Sequence, residues 1–317
     1  MTDDWTTADV PRLDGDRIVV TGANSGLGFE ATRIFAERGA TVIMACRSTD
    51  RAERAAREIR ATDPDGTLDI RHCDLADLDS VERFAEAVAD DYDGLEALCN
   101  NAGVMAIPYG ETADGFERQF GINHLGHFAL TGHLLPLLSE SDGEARVVTQ
   151  SSGLHEQGDL DPDDPPSEVG YDEWDAYADS KLANVYFGYE LDRRLNAAGI
   201  DDVTSVVCHP GWAATNLQNR AAGDSRLKRA VMKAANTVFA QSAETGALPM
   251  LYATVEDVSG GSYVGPGGLL NMRGYPEIQR SSDRSYDEGI ARRLWERSVE
   301  WTGVEYDALR RRVTAED

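Results

Sequence analysis

A tyrosine and a lysine four positions apart open a long helical pattern in this sequence. Tyr177 and Lys181 belong to the segment YADSK, so one turn of helix would place them on the same face. A phenol, whose ordinary pKa is about 10, exchanges protons poorly near neutral pH, and an adjacent ammonium group lowers that pKa by stabilising the phenolate. The pair therefore suits acid–base catalysis, although the same spacing also arises by chance.

Two further polar groups are expected close to this pair. The fifth predicted strand ends in Gln150-Ser151-Ser152, and Asn123 lies on the preceding helical pattern. Ligands of parallel sheets bind beside the carboxyl ends of the strands, so a serine hydroxyl would enter the same crevice as the phenol. Asn123 adds an amide that could hold a water molecule. Together these groups indicate a site of proton transfer.

A glycine-rich turn joins the first predicted strand to a helix. The segment TGANSGLG at 21–28 would let the backbone approach a pyrophosphate, and the helix N-terminus would present N–H groups and a positive partial charge. A dinucleotide site is the favoured interpretation, and a purely structural turn is the alternative. The expected contacts are Gly22, Asn24, Ser25, Gly26, Leu27 and Gly28.

The second predicted strand ends in Ala45-Cys46-Arg47, without the carboxylate that bonds the ribose hydroxyls in NAD-selective sites. Arg47 stands where a 2′-phosphate would lie, and a guanidinium group suits a phosphate well. NADP(H) is therefore the predicted cofactor, with NAD(H) as the alternative. An ordinary surface ion pair would also explain Arg47.

Polar residues also follow the third and fourth predicted strands. Asp74, with Leu75 beside it, is placed to reach an adenine amine, although an aspartate there could equally cap the next helix. In the segment NNAG at 100–103, Asn101, Ala102 and Gly103 could lie beside a ribose or could form an Asx-type turn. Taken alone, this segment does not decide between the two.

Short apolar runs alternate with amphipathic stretches along the chain. The runs are continuous, as in strands buried on both faces, which predicts an α/β fold with a Rossmann-like, doubly wound parallel sheet of about seven strands flanked by helices. The predicted strands are Arg17–Thr21, Thr41–Cys46, Leu68–Cys73, Leu95–Cys99, Ala145–Gln150, Val203–Cys208 and Gly261–Val264. The predicted helices are Gly26–Arg38, Asp50–Ala61, Asp77–Asp91, Gly115–Ser139, Trp174–Ala198 and Ser242–Tyr252.

The chain is expected to form one domain. Residues 1–15 form an N-terminal arm, and residues 16–317 form a single NAD(P)-binding catalytic domain. Within it, 159–174 is predicted to be an exposed loop, because it is rich in proline and acidic residues. The stretch 211–241 is predicted to be a helical substrate lid.

The charge of the chain is unusual. Its formal net charge is −26, and only Lys181, Lys228 and Lys233 among its 30 basic residues are lysines. Such a surface resembles that of proteins from salt-loving microbes, because concentrated salt screens its self-repulsion. The alternative is an acidic surface that meets a basic partner. Either way, the charge argues against binding nucleic acid.

Several other classes are disfavoured. No apolar run approaches the ~18 residues needed to span a bilayer, and the start lacks the pattern of a signal peptide, which predicts a cytoplasmic protein without a membrane partner. The four cysteines form no CxxC pair and the histidines have no ligand spacing, so no metal site is expected. The expected partners are a small-molecule substrate and further copies of the chain, as a dimer or tetramer.

Six motifs in this order resemble the short-chain dehydrogenase/reductase family: TGANSGLG at 21–28, NNAG at 100–103, Asn123, Ser152, YADSK at 177–181 and HPG at 209–211. Within that family the chain is similar to the branch of retinol dehydrogenases, WW-domain oxidoreductases and protochlorophyllide reductases. That branch mostly prefers NADP(H).

The resemblance implies a role for each matched residue. Tyr177 would be the general acid/base, and Lys181 would bind the nicotinamide ribose and tune Tyr177. Ser152, the second serine of its pair, would orient the substrate carbonyl, and Asn123 would complete a proton relay through water. The carboxamide end of the nicotinamide would be held by Pro210, Gly211 and Thr215.

The function implied is NADP(H)-dependent interconversion of an alcohol and a carbonyl on a small or medium apolar substrate. A membrane retinoid is disfavoured, because the chain lacks the membrane anchor of animal retinol dehydrogenases. One alternative is reduction of a C=C bond in a conjugated substrate. Another is a non-catalytic dinucleotide-binding redox sensor, which the intact set Asn123, Ser152, Tyr177 and Lys181 argues against.

Overall fold

The computed structural model describes residues 4–141, 143–211, 242–268 and 271–311. They form one eight-stranded sheet with the order β3-β2-β1-β4-β5-β6-β7-β8, in which only the β7–β8 pair is antiparallel. The strands are β1 (Arg17–Thr21), β2 (Thr41–Cys46), β3 (Thr67–His72), β4 (Ala97–Asn100), β5 (Ala145–Gln150), β6 (Val203–Cys208), β7 (Tyr263–Pro266) and β8 (Pro276–Gln279). The predicted Rossmann-like α/β fold is confirmed.

Helices cover both faces of the sheet. They are α1 (Gly26–Glu37), α2 (Thr49–Arg60), α3 (Leu78–Asp91), α4 (Arg118–Phe120), α5 (Gly126–Leu138), α6 (Glu173–Ala197), α7 (Ala243–Val255), α8 (Glu288–Thr302) and α9 (Asp307–Arg311). Successive side chains of a strand point to opposite faces, so Val19 packs toward α3, α5 and α6, whereas Val20 packs toward α1, α2 and α7. Both valines are completely buried, which explains why the strand sequences are continuously apolar.

The helix predicted near Gly115–Ser139 starts later than expected and is interrupted by a π-helical turn. The carboxylate of Glu117 accepts hydrogen bonds from the N–H groups of Gln119 and Phe120, so the helix begins only at Arg118. It then passes through a π-helical turn at Gly121–Leu125 before α5. A π-helical turn accommodates one extra residue and often marks a functional site. Here it contains Asn123.

The predicted number of strands is also corrected, because β8 is an eighth strand. It lies at the sheet edge, begins with a proline and exposes two of its four residues, so it has no apolar run that would reveal it in the sequence. The ends of β3, β4 and β7 differ from the predicted ends by one or two residues. These shifts leave the strand order and the site intact.

Helix α8 lies across the outer side of α5 and α6. Trp295 of α8 stacks on Phe187 of α6, and the Phe128 ring of α5 packs against Trp295 and Tyr306. The Tyr306 hydroxyl also donates a 2.6 Å hydrogen bond to the carbonyl oxygen of Phe128. This aromatic cluster joins residues that are 178 positions apart in the sequence.

Residues 4–15 pack against the domain. Val10 and Leu13 are buried, and the Trp5 indole donates a 2.7 Å hydrogen bond to Glu256 at the end of α7. Thr215 and the predicted lid beyond Gly211 lie outside the described residues. Among the described helices, none is long and apolar enough to cross a membrane.

Candidate active site

A cleft of about 570 Å³ runs along the carboxyl ends of the strands, across the position between β1 and β4 where the strand order reverses. Its walls include most of the predicted site residues: Gly22, Asn24, Ser25, Gly26, Leu27, Arg47, Asp74, Leu75, Asn101, Ala102, Gly103, Ser152, Tyr177, Lys181, Pro210 and Gly211. Gly28 and Asn123 do not line the cleft, although both contact residues that do.

The glycine-rich turn is tightly folded against the NNAG segment. Gly22 and Gly26 have φ values of 67° and 59°, in the left-handed region that favours glycine. A Cβ atom on Gly28 would lie 2.5 Å from the Asn101 side-chain nitrogen and 2.6 Å from the Gly22 oxygen. Gly28 therefore allows close packing behind the turn, while the N-terminus of α1 faces the cleft. Ser25, the N-cap residue of α1, makes no side-chain capping bond.

Thr21, the last residue of β1, ties the two turns together. Its hydroxyl oxygen accepts hydrogen bonds of 2.9 Å from the N–H groups of Asn101 and Ala102. The Asn101 amide in turn donates a 2.8 Å bond to the Thr21 carbonyl. The Asn101 side chain therefore holds the turn in place, and the small residues beside it form the surface of the cleft.

Two arginines that follow β2, Arg47 and Arg51, both line the cleft. Neither makes an ion pair with any described residue, although acidic residues outnumber basic ones by 56 to 30 in this chain. Ser48 lies between them as the N-cap of α2, without a side-chain capping bond. Asp74 does not cap α3, because Asp77 does so by accepting a bond from the Ser80 N–H group.

Asn123 is completely buried beneath the cleft. Its amide nitrogen donates 2.9 Å bonds to the Val104 carbonyl and the Ser180 hydroxyl, and its amide oxygen accepts a 2.8 Å bond from the Val104 N–H group. Both amide N–H groups are therefore used by the protein. A Cβ atom on Gly103 would lie 3.0 Å from the Asn123 amide oxygen and 3.6 Å from the Lys181 ammonium, so this glycine keeps space between them.

Tyr177 and Lys181 lie on one face of α6, as the spacing predicts. The Lys181 ammonium nitrogen is 5.8 Å from the centre of the Tyr177 ring and donates a 3.1 Å bond to the Gln150 carbonyl. Burial raises the pKa of Tyr177 to about 12, against a lowering by the Ser152 hydroxyl, and burial lowers the pKa of Lys181 to about 8. In the protein alone, burial therefore outweighs the expected lowering of the phenol pKa by Lys181.

The two serines after β5 have different surroundings. The Ser151 hydroxyl is buried and donates a 2.8 Å bond to the Lys181 carbonyl. The Ser152 oxygen accepts a 3.2 Å bond from the Leu154 N–H group, and Ser152 lines the same cleft as Tyr177, where it lowers the pKa of that phenol against the effect of burial. Ser152 is therefore the serine that faces the phenol.

A profile of the family described as short chain dehydrogenase matches residues 16–225.

The chain belongs to the short-chain dehydrogenase family.

Its similarity to individual members of the family covers nearly the whole chain. It is 38% identical to human retinol dehydrogenase 13 over 94% of this chain and 88% of that protein, and 38% identical to human retinol dehydrogenase 12 over 93% and 89%. A crystal structure of an uncharacterised protein from Mycobacterium paratuberculosis matches with a TM-score of 0.79 and 42% identity, over 96% of this chain and 99% of that one. A short-chain dehydrogenase from Shigella flexneri, solved with NADP, shares the fold, with a TM-score of 0.61 and 24% identity over 80% and 98% of the two chains.

Membership of the short-chain dehydrogenase family makes this protein an oxidoreductase. The family uses a nicotinamide dinucleotide, NAD(H) or NADP(H), as its cofactor. The described residues contain no group of three or more His, Cys, Asp or Glu side chains placed to hold a metal ion.

Several residues of this short-chain dehydrogenase site escaped the sequence analysis. The further cleft residues include Arg51, Met105, Leu154, His155, Trp174, His209, Tyr263, Met272 and Gln279. Arg51 could have been found, because it follows Arg47 by four residues at the start of α2. Tyr263 and Gln279 had no such signal, since they reach the cleft only through the pairing of β6, β7 and β8.

Proposed function

We propose that this protein is an NADP(H)-dependent oxidoreductase that interconverts an alcohol and a carbonyl compound, with Tyr177 as the general acid/base. The observation that carries the proposal is the placement of Tyr177, Ser152 and buried Lys181 in the wall of one cleft of about 570 Å³, with the Lys181 ammonium nitrogen 5.8 Å from the centre of the Tyr177 ring. Two hydroxyls at one point can hold a single substrate oxygen.

The residues at the other end of the cleft fit a dinucleotide. The turn Gly22–Gly28 and the N-terminus of α1 would hold the pyrophosphate, with the Ser25 hydroxyl free to donate. Asp74 would bind the adenine, and the segment 101–103 would lie along the ribose. The bound cofactor supplies or accepts the hydride. Pro210 and Gly211 line the cleft where the nicotinamide carboxamide is expected, and we assign Thr215 the same role.

NADP(H) is the proposed preference because two arginines without an ion pair to any described residue line the same cleft. Arg47 and Arg51 lie in the wall where a 2′-phosphate would be placed, and the uncapped Ser48 hydroxyl lies between them. In a chain this acidic, arginines without carboxylate partners support an anionic ligand. NAD(H) lacks this phosphate and would leave both guanidinium groups unused.

The protein's own groups would then control one proton. Tyr177 would donate to the carbonyl oxygen during reduction and take the proton back during oxidation, while the Ser152 hydroxyl orients that oxygen. Because burial raises the pKa of Tyr177, the phenol carries its proton at neutral pH, and the Lys181 ammonium would favour the phenolate formed when that proton is donated. We assign Asn123, which lies beside Gly103 as Lys181 does, the proton relay through water.

The substrate end of the cleft supports a small or medium apolar substrate. Met105, Leu154, Trp174 and Met272 line it, and alcohol oxidation is the activity named in its retinol dehydrogenase relatives. A catalytic domain at 16–317 with a lid at 211–241 completes the proposal. The cytoplasmic location, the homo-oligomer and the salt-adapted surface stay predictions of the sequence.

The test is reduction of a panel of aliphatic and aromatic aldehydes, ketones and enones with NADPH, followed by product analysis. We expect alcohols as products, and Tyr177→Phe should lower kcat by about 10²- to 10⁴-fold while leaving NADPH binding nearly unchanged. Tyr252→Phe is the control, because it removes a phenol oxygen outside the cleft. Near-full activity of Tyr177→Phe would refute the mechanism, and saturated ketones from the enones would favour C=C reduction.

A further inference from the structure

His155 is a buried histidine three residues after Ser152 that lines the cleft, and only 1% of its surface is exposed. Its Nδ1 atom lies 2.7 Å from the Ser152 carbonyl oxygen and 3.2 Å from the Tyr263 hydroxyl, and its Nε2 atom lies 3.0 Å from the Ser282 N–H group. The proposed proton transfer does not use this side chain.

Its two main-chain partners determine the protonation state of the ring. A carbonyl oxygen can only accept, so Nδ1 carries the proton and donates it to Ser152. An amide N–H can only donate, so Nε2 is unprotonated and accepts from Ser282. A proton on Nε2 would face the Ser282 N–H group, so two donors would meet. Burial also lowers the pKa of His155, which favours the neutral ring. The ring is therefore neutral with a single tautomer.

The bond from His155 to the Ser152 carbonyl helps to fix the position of the Ser152 hydroxyl. The Ser152 carbonyl also accepts a 3.0 Å bond from the His155 N–H group, so one residue clamps this carbonyl twice. With the carbonyl clamped and the Ser152 side-chain oxygen accepting from Leu154, the hydroxyl proton is left for Tyr177 or a substrate oxygen.

The bond to Ser282 connects this turn to the helix that carries Tyr177. Ser282 follows β8, in a loop that α6 holds through two phenols. The Tyr189 hydroxyl lies 2.7 Å from the Ser281 hydroxyl, and the Tyr186 hydroxyl donates a 3.0 Å bond to the Arg284 carbonyl. His155 thus links the Ser152 turn, through the loop 280–286, to the same rigid helix as Tyr177.

We propose that His155 is a positioning residue, whose Nδ1–H bond to the Ser152 carbonyl holds the Ser152 hydroxyl in register with Tyr177. This inference rests on the proposed function, because it assigns His155 no chemistry of its own. Misplacement of a reacting or orienting group by about 1 Å can cost 10²-fold in rate.

Two substitutions of His155 test the hydrogen bonds of its two ring nitrogens separately. Asn can place an N–H group where Nδ1 lies, so His155→Asn keeps the bond to Ser152 and loses the bond to Ser282. Gln can place a carbonyl oxygen where Nε2 lies, so His155→Gln does the reverse. His155→Phe keeps an aromatic ring and loses both of these bonds, together with the contact to the Tyr263 hydroxyl.

The measurements are kcat and KM for the best carbonyl of the panel, the Kd for NADPH, and the melting temperature. We expect kcat to fall about 10- to 100-fold in His155→Gln and His155→Phe and to stay within about threefold of wild type in His155→Asn. The Kd for NADPH should stay within about threefold in all three variants.

The proposal would be overturned if His155→Asn and His155→Gln lost kcat equally and both losses followed the decrease in melting temperature. His155 would then be a packing residue. A wild-type kcat in His155→Gln would overturn it as well. Tyr177→Phe, measured alongside, keeps the two proposals apart. If that variant is inactive while the His155 variants are not, only the positioning role fails, whereas an active Tyr177→Phe refutes the proposed mechanism itself.

Discussion

Arg47 and Arg51 allow us to predict how much more tightly the protein binds NADPH than NADH. A charge-assisted hydrogen bond contributes about 1.5–3 kcal/mol, and the lower value applies here because Arg47 and Arg51 are exposed. Since about 1.4 kcal/mol corresponds to a factor of ten, each arginine should favour NADPH by about tenfold. The wild-type protein should therefore bind NADPH between about 10 and 100 times more tightly than NADH.

Arg47→Glu tests this estimate. The substitution removes one contact to the 2′-phosphate and adds a repulsive carboxylate, so the Kd for NADPH should rise by at least about tenfold. The Kd for NADH should change by less than about threefold, because the new carboxylate can accept bonds from the ribose hydroxyls. The control is Arg54→Glu, which makes the same charge change on α2 at an exposed residue outside the cleft.

The assay is fluorescence titration of both cofactors at one fixed low salt concentration, because molar salt screens the phosphate contact. Three results would refute the reasoning: equal affinity of the wild-type protein for NADH and NADPH, equal weakening of both cofactors by Arg47→Glu, or equal weakening of NADPH by Arg47→Glu and Arg54→Glu. Any of these would make Arg47 a surface residue without a role in selectivity.

Two further predictions concern stability. The chain has a net charge of −26, and salt screens its self-repulsion, so the melting temperature should rise as KCl increases from about 0.05 M to about 3 M. A melting temperature that does not change with KCl would instead favour the interpretation that the acidic surface meets a basic partner. The cofactor-free Lys181→Met variant should be more stable than wild type at pH 7, by about 3 kcal/mol, because burial lowers the pKa of Lys181 from 10.5 to about 8. That advantage should shrink as the pH rises from about 8 to about 10.5 and vanish only above 10.5, where the lysine is neutral in both the folded and the unfolded chain. An advantage that stays constant in denaturant titrations from about pH 8 to about pH 10.5 would contradict the assigned shift.

The parts of the fold that could be predicted from the sequence are those that local patterns encode. Strands such as β1 and β2 are buried on both faces, so their apolar runs stand out, and the glycine-rich turn and the YADSK segment place their side chains within one turn of a strand or helix. The position of Tyr177 beside Lys181 needed only the helical repeat.

The rest depends on contacts between distant segments. The π-helical turn at Asn123 is accompanied by hydrogen bonds to Val104 and Ser180, which no helical periodicity reveals. β8 is short and half exposed, and the contact between His155 and Ser282 spans 127 positions. The choice between Ser151 and Ser152 likewise needed the distances to Lys181 and Leu154.

The aromatic cluster beneath α8 has a consequence for the order in which the protein folds. Tyr306 and Phe128 are 178 positions apart, so bringing them together costs more loop-closure entropy than packing neighbouring βα units. We therefore expect α8 to dock late, after the sheet and its flanking helices have collapsed, and the rings of Phe128 and Phe187 to stay uncovered until then. Pulse-labelled hydrogen exchange during refolding should show the amides of α8 protected after those of β1 and β4. During that interval α5 and α6 would expose aromatic side chains to solvent. We therefore expect aggregation to compete with folding most strongly at this stage.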